Sequence, residues 1–366
     1  MKKLLIGTTA LVAAAAFGAQ DADAKDIKLK VGGFLNAGVA VGPNNARDLE
    51  GGQDEDPRTE AFNIVRDGEI HFKAKGTLDN GITISARVEL EAVTQEDSDG
   101  GTTGDQIDEN WVRVSTAYGD IMVGGNDDAA ENLKSGVIKW GVSGQRLRDA
   151  DYLFTPGDNF DEFFGDDDIG IHYYSPNLFG FEFGVSYQPS TDTDGADDDN
   201  SITDTGDYQN RTVFSARYKN KIGGVKFAIN GAYGRDFTSE DDFPGKEQGY
   251  AVGVEAKVPA FGGDVSAFFR YEREEEIETD EVDQDHFTGG VKYETGPWEF
   301  VAFGGFAEEA GNDAGIETQE YFIVGVGGGY ELGDGVKLGW DVNYGESDIA
   351  DERSGVGASL LLGIKF

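Results

Sequence analysis

Apolar and polar residues alternate along most of this chain. In 27–41, IKLKVGGFLNAGVAV, the odd positions Ile27, Leu29, Val31, Leu35, Val39 and Val41 are apolar, while the even positions include Lys28, Lys30 and Asn36. In 69–78, Ile70, Phe72, Ala74 and Leu78 lie opposite Glu69, His71, Lys73 and Lys75. In 82–92, Ile82, Ile84, Ala86, Val88 and Leu90 alternate with Thr83, Ser85, Arg87, Glu89 and Glu91. A period of two held over ten residues marks a strand with one apolar face. Weaker copies lie at 107–118, 181–187, 212–219 and 225–233. Others lie near 249–258, 264–272, 286–294, 298–306, 319–331, 336–345 and 355–366. With short strands at 120–125 and 168–175, the total comes to about sixteen.

The connections alternate in length. Short ones, such as Leu78-Asp79-Asn80-Gly81, Asn220 to Gly224 and Thr295-Gly296-Pro297, carry the Asn, Asp, Gly and Pro of tight turns. Long ones fall at 42–62, 95–106, 127–167, 188–210, 236–248, 273–285, 307–318 and 346–354, and many are acidic, as in STDTDGADDDN and REEEIETDEVDQD. Tight turns therefore collect at one end and long loops at the other. That asymmetry predicts an all-β, transmembrane antiparallel β-barrel. So many strands enclose more space than side chains fill, so the interior becomes a water channel and the apolar faces turn to lipid. Phe179, Phe181, Tyr218, Phe261, Tyr293, Trp298, Tyr330, Trp340, Tyr344 and Phe366 cluster near strand ends, where interfacial aromatics belong.

The segment 127–167 breaks the pattern. It has neither strand alternation nor a long helical period, and a structureless stretch of this length calls for a function. It is expected to fold back into the barrel and narrow the pore.

The first residues, MKKLLIGTTALVAAAAFGAQDADA, have a basic start, a short apolar run and Ala22-Asp23-Ala24 as a cleavage site. They predict a secretory signal peptide over 1–24, because the apolar run is shorter than the about 20 residues of a spanning helix. Residues 25–366 are then expected to form a single barrel domain.

Composition sharpens the class. The chain has 366 residues, a net charge of −40, 54 Gly, 11% aromatic residues and no Cys. The lack of Cys rules out thiol and Cys-based zinc chemistry. The acidic balance speaks against nucleic acid, whose phosphates need Lys and Arg, and favours cations as partners. Disorder is excluded by the aromatic content. A mean hydropathy of −0.43 fits no helical membrane protein, whereas a barrel needs apolar residues only at alternate positions.

Enzyme signals are poor. His71, His172 and His286 match no metal-ligand spacing, and Gly141-Val142-Ser143-Gly144 lacks the last Gly of a nucleophile elbow. No cofactor and no specific metal site are expected. DTDGADDD at 192–199 offers carboxylates for weak Ca²⁺ or Mg²⁺ binding on an external loop, without the full calcium-loop spacing. A solvated, self-repelling loop is the plainer reading.

The terminal GVGASLLLGIKF closes on Phe366 and resembles the final strand of bacterial outer-membrane proteins. Together with IKLKVGGFLNAGV, GTLDNGITISARVELEA, STAYGDIMVGGNDDA, DIGIHYYSPNLFGFEFGVSY and GVGGGYELGDGVKLGW, it makes residues 25–366 similar to the sixteen-stranded general-diffusion porins of Gram-negative bacteria, most like the alphaproteobacterial ones. The resemblance implies a homotrimer in the outer membrane, among lipid and lipopolysaccharide, that passes ions and small hydrophilic solutes. It also implies that the third external loop carries acids facing a basic wall. On 127–167 those acids are Asp149, Asp151, Asp158, Asp161, Glu162 and Asp166. On the wall the basic residues are Arg87, Arg113, Lys73, His71 and Lys30, beside Glu69, Glu89 and Glu91. The net charge predicts a preference for cations. A substrate-specific channel with a binding track, to which Trp111 and Phe268 contribute, is the alternative.

Overall fold

The computed structural model describes residues 27–42, 62–92, 107–142, 163–165, 168–190, 208–239, 247–276, 283–309, 318–347 and 353–366. The strands are β1 (Lys28–Val41), β2 (Phe62–Thr77), β3 (Thr83–Glu91), β4 (Ile107–Thr116), β5 (Gly119–Gly125), β6 (Ile169–Tyr174), β7 (Phe181–Ser190) and β8 (Tyr208–Ile222). They continue as β9 (Val225–Arg235), β10 (Glu247–Ala260), β11 (Gly263–Glu276), β12 (Gln284–Thr295), β13 (Trp298–Glu309), β14 (Gln319–Gly333), β15 (Val336–Ser347) and β16 (Arg353–Lys365). Two further residues, Thr238–Ser239, prolong the edge of β9 against β8. One short helix, α1 (Ala129–Asn132), follows β5.

Every strand pairs antiparallel with its chain neighbour, and β1 pairs with β16 from Phe34↔Lys365 to Val41↔Ala358. The sheet thus closes into a sixteen-strand barrel, so the first and last strands pair with each other instead of forming free edges. The terminal aromatic helps to seal the seam: Phe366 N–H donates to the Gly33 carbonyl (3.1 Å), and Gly33 N–H donates to the Phe366 carbonyl (3.0 Å).

The alternation read from the sequence holds. Leu29, Val31, Leu35 and Val39 on β1, and Val356, Leu360, Leu362 and Ile364 on β16, are exposed on the outer face. Their neighbours Asn36, Ala40, Ser359 and Leu361 are buried on the inner one. Aromatics pack against each other across strands at the short-turn end: Phe181 with Tyr218 and Trp298 with Tyr330, each pair tilted with centroids 4.4 Å apart. Two turns there place Phe179 and Phe261 in the left-handed region, at φ 56° and 55°. A large side chain is costly in that conformation, and both rings point outward, 98% and 91% exposed.

Several strands run further than the alternation suggests. β2 begins at Phe62 rather than 69, because Val65 turns inward and Arg66 outward, which hides the pattern while the backbone stays paired with β1. β11 extends to Glu276, through residues read above as loop. There Arg273 pairs with Glu275 (2.6 Å), Asp283 (2.7 Å) and Asp285 (2.7 Å), so charge pairs hold a ladder whose side chains are no longer apolar. The expected signal peptide, 1–24, lies outside the described residues, as does the acidic stretch 192–199.

Candidate functional site: the lumen and its inner loop

The connection after β5 turns into the barrel. Asp128 caps α1, accepting hydrogen bonds from the N–H groups of Ala130 (2.6 Å) and Glu131 (3.0 Å). Its carboxyl is fully buried, and burial pushes its pKa up to about 6 although the two backbone bonds pull the other way. Ala129 and Ala130 pack with Phe163, Phe164, Val213 and Ala251, between the loop and the inner faces of β8 and β10.

From α1 the loop travels along the inner wall. Ser135 N–H donates to Asn230 Oδ1 on β9 (2.9 Å). Ile138 and Trp140 join Val301, Phe303, Ala307, Tyr321 and Ile323 in a buried cluster against β13 and β14, with Phe268 packed beside it. The Trp140 ring stacks on Phe303 at 4.4 Å and 18°. Gly141 N–H donates to Glu299 Oε1 on β13 (2.6 Å). Val142 ends the described path among Ala40, Val65 and Leu361, at the β16–β1–β2 seam.

Glycines make room for this path. A Cβ on Gly253 would run into the Ser135 carbonyl oxygen, and one on Gly290 into Ile138. On Gly327 it would lie 2.7 Å from the Trp140 ring nitrogen, and on Gly363 2.9 Å from Val142 Cβ. On the loop itself, Gly136 has φ +83° and abuts the backbone of Phe269, so both its conformation and its space exclude a side chain. Gly325 and Gly329 on β14 belong to the same seat: a Cβ on Gly325 would meet the Phe303 ring, and one on Gly329 would lie 3.2 Å from Gly141 Cα.

The inner face of β1–β4 is different. Directly paired residues share a face, and the ladder runs Lys30↔Lys73↔Arg87↔Trp111 and Lys28↔Lys75↔Ser85↔Arg113. Lys28, Lys30, Lys73 and Lys75 are exposed and make no ion pair among the described residues. Arg87 pairs with Glu89 and, at 3.0 Å, with Glu109. His71 is held between Glu69 (2.5 Å) and Glu89 (3.1 Å). Arg113 lies along the wall, 4.8 Å over the Trp111 ring and 3.3 Å from Met122 Sδ.

The structure therefore brings the basic residues expected on the wall, Lys30, His71, Lys73, Arg87 and Arg113, into one patch. The expected loop acids Asp149, Asp151, Asp158, Asp161, Glu162 and Asp166 lie outside the described residues. Sequence reasoning missed Glu109, which ties Arg87 to Trp111 Nε1 (2.9 Å), and missed Trp140 and Asn230 as anchors of the loop. Inward-facing glycines were the available signal, since a bare water-lined wall has no need for them. Two ligand triads, Glu69–His71–Glu89 and Glu69–Glu91–Asp108, are close enough to hold a metal ion. Arg87 already neutralises Glu89, and His71 is engaged by carboxylates at both ring nitrogens, so an ion would have to displace existing partners. Trp111 and Phe268 do not meet: one lies under Arg113 and the other against the loop cluster.

The family model of Gram-negative porins matches residues 7–350. No match was found among curated proteins. Solved structures of similar fold include OmpT, an outer membrane protein of Vibrio cholerae, in its in-vitro folded trimer form. It is 11% identical, with 93% of this chain and 100% of that chain covered, at a TM-score of 0.60. The anion-selective porin from Comamonas acidovorans is 13% identical, with the same coverages, at 0.57. A mutant of the Rh. blastica porin is 16% identical, again with 93% and 100% covered, at 0.58. At such identities the structures speak for the fold, and the family match speaks for kinship over most of the length. The chain belongs to the Gram-negative porin family and is a channel of the outer membrane.

Proposed function

We propose that the protein is a passive, water-filled pore for ions and small hydrophilic solutes, preferring cations. The observation that carries this reading is the loop, packed on the inner wall from β8 to β16, together with Lys28, Lys30, Lys73 and Lys75, which stay exposed on the inner face of β1 and β2. A solute moves down its gradient; no bond changes and no cofactor takes part. The constriction is assigned to Arg87, Arg113, Lys73, His71 and Lys30 on the wall, facing Asp149, Asp151, Asp158, Asp161, Glu162 and Asp166 of the loop. Opposed charges in a narrow aqueous ring favour polar permeants over apolar ones. The cation preference is motivated by the net charge of −40 and weakens as salt screens it.

The working unit is a homotrimer set in outer-membrane lipid and lipopolysaccharide, a reading supported by the trimer form of Vibrio cholerae OmpT. Acidic external loops would hold Ca²⁺ or Mg²⁺ weakly against that surface. The test is single-channel current of the refolded protein in a planar bilayer under a salt gradient. Openings in groups of three with a cation-favouring reversal potential are expected. Folded protein that never conducts would overturn the proposal, and an anion-favouring reversal potential would overturn its selectivity.

A further inference from the structure

On the wall of β1–β4 charge is sorted along the barrel axis. The long-loop end of β2 carries Asp67 and Glu69, and its turn end carries Lys73 and Lys75. On β3, Arg87 lies toward the turn end, with Glu89 and Glu91 toward the loops. On β4 the direction of the chain reverses and so does the order, Asp108 and Glu109 coming before Arg113. On β1, Lys28 and Lys30 stand at the terminal end, beside Lys75 and Lys73. The sign changes between residues 71 and 73, between 87 and 89, and between 109 and 113. These positions are neighbours across the ladder, and Arg87 spans the boundary through Glu89 and Glu109. Independent placement of charges would not align the change of sign on adjacent strands. The net charge of −40 adds to the acidic side, because the acidic runs of the sequence fall in the long connections. In an outer-membrane barrel the long connections are external and the tight turns periplasmic.

We propose that this lumen is bipolar along its axis, with an acidic external zone in series with a basic periplasmic zone on the β1–β4 wall, and that it rectifies ion current. The proposal rests on the reading of the protein as an open pore.

Cations concentrate in the acidic zone and anions in the basic one. A field that is positive outside drives cations inward through the acidic zone and anions outward through the basic zone. Both then accumulate at the boundary, and the pore conducts well. The opposite field draws both ions away from the boundary and depletes it. Current is therefore larger with the external side positive. The acidic zone holds more charge, so the overall preference stays cationic. Screening sets the range of the effect: the Debye length is about 10 Å at 0.1 M salt and about 3 Å at 1 M. The asymmetry belongs to low salt.

The experiment is current–voltage measurement on single channels in symmetric KCl. The chain has no Cys, so Asp79→Cys in the β2–β3 turn, labelled with biotin and detected with streptavidin on one side, marks the periplasmic face. Wall potentials of several kT predict a current ratio of roughly two or more between polarities at 0.1 M, collapsing toward one at 1 M. Lys30→Glu with Lys73→Glu should abolish the ratio and raise cation selectivity. Glu69→Gln with Glu91→Gln should reduce the ratio from the other side. Open channels with a linear current at low salt would overturn the bipolar lumen and leave the pore intact. Absence of any current would overturn the pore itself. A ratio that survives 1 M salt, or that ignores both double variants, would also overturn the proposal.

Discussion

Two parts of the inner wall obey the same alternation and do opposite things. On β1–β4 the inward positions carry Lys28, Lys30, Lys73, Arg87 and Arg113, bathed by the lumen or paired along the wall. On β10–β16 the inward positions carry Gly253, Gly290, Gly327 and Gly363, with Phe303 and Ile323, filled by the loop. The difference teaches that a lumen position answers to what stands opposite it. Where water is opposite, long charged side chains are tolerated and set the field. Where a polypeptide is opposite, the wall is cut back to glycine and lined with apolar groups, with Asn230 and Glu299 kept to accept the loop's backbone N–H groups. Substitutions of the exposed lysines on the first wall should alter selectivity and leave stability alone; substitutions on the second should alter stability and pore width.

The largest effect is expected from Trp140→Ala. It removes a ring that is 2% exposed and stacked on Phe303, and large-to-small changes of this kind cost about 3–5 kcal/mol. Thermal unfolding in detergent should show the loss, and single-channel conductance should rise as the loop comes away; unchanged conductance would mean that the loop does not set the pore width. Gly253→Val comes next. Its side chain would meet the Ser135 carbonyl, and overpacking costs about 1–3 kcal/mol. A wild-type conductance in that variant would show that the wall yields more easily than its packing implies.

A smaller effect separates charge from packing at the loop's anchor. The Asp128 carboxyl has its pKa raised in the fold, so the folded state takes up a proton before the unfolded chain does. Its contribution therefore favours the fold increasingly as pH drops below about 6. Asn also caps helices, so Asp128→Asn should keep α1 while losing about 1 kcal/mol of the stabilisation otherwise gained from pH 7 to pH 5. Matching pH profiles for the two proteins, measured by thermal unfolding, would remove Asp128 from the account. The smallest stability change belongs to Lys75→Gln on the open wall, within about 0.5 kcal/mol. Its reversal potential should nonetheless move toward stronger cation preference. If that substitution destabilised the barrel and left selectivity untouched, the contrast between the walls would fail.

The sequence alone determined the strands, their faces and the closure of the barrel. Alternation is local: each residue reports only which side of its strand it occupies, and lipid outside with water inside makes that report legible over most of the chain. Alternation failed where lipid no longer imposes it, at Arg66 on β2 and at Arg273–Glu276 on β11, where pairing continues without an apolar face. The basic wall was legible for the same local reason, since Lys73 and Arg87 face inward by parity. Only the tertiary structure decided that Gly253 and Gly290 are notches for Ser135 and Ile138, that Glu299 holds Gly141, and that Arg87 joins Glu89 to Glu109. Those pairings span more than a hundred residues or depend on the register of neighbouring strands. Register and loop path are settled by packing in three dimensions, which a period of two along one chain does not encode.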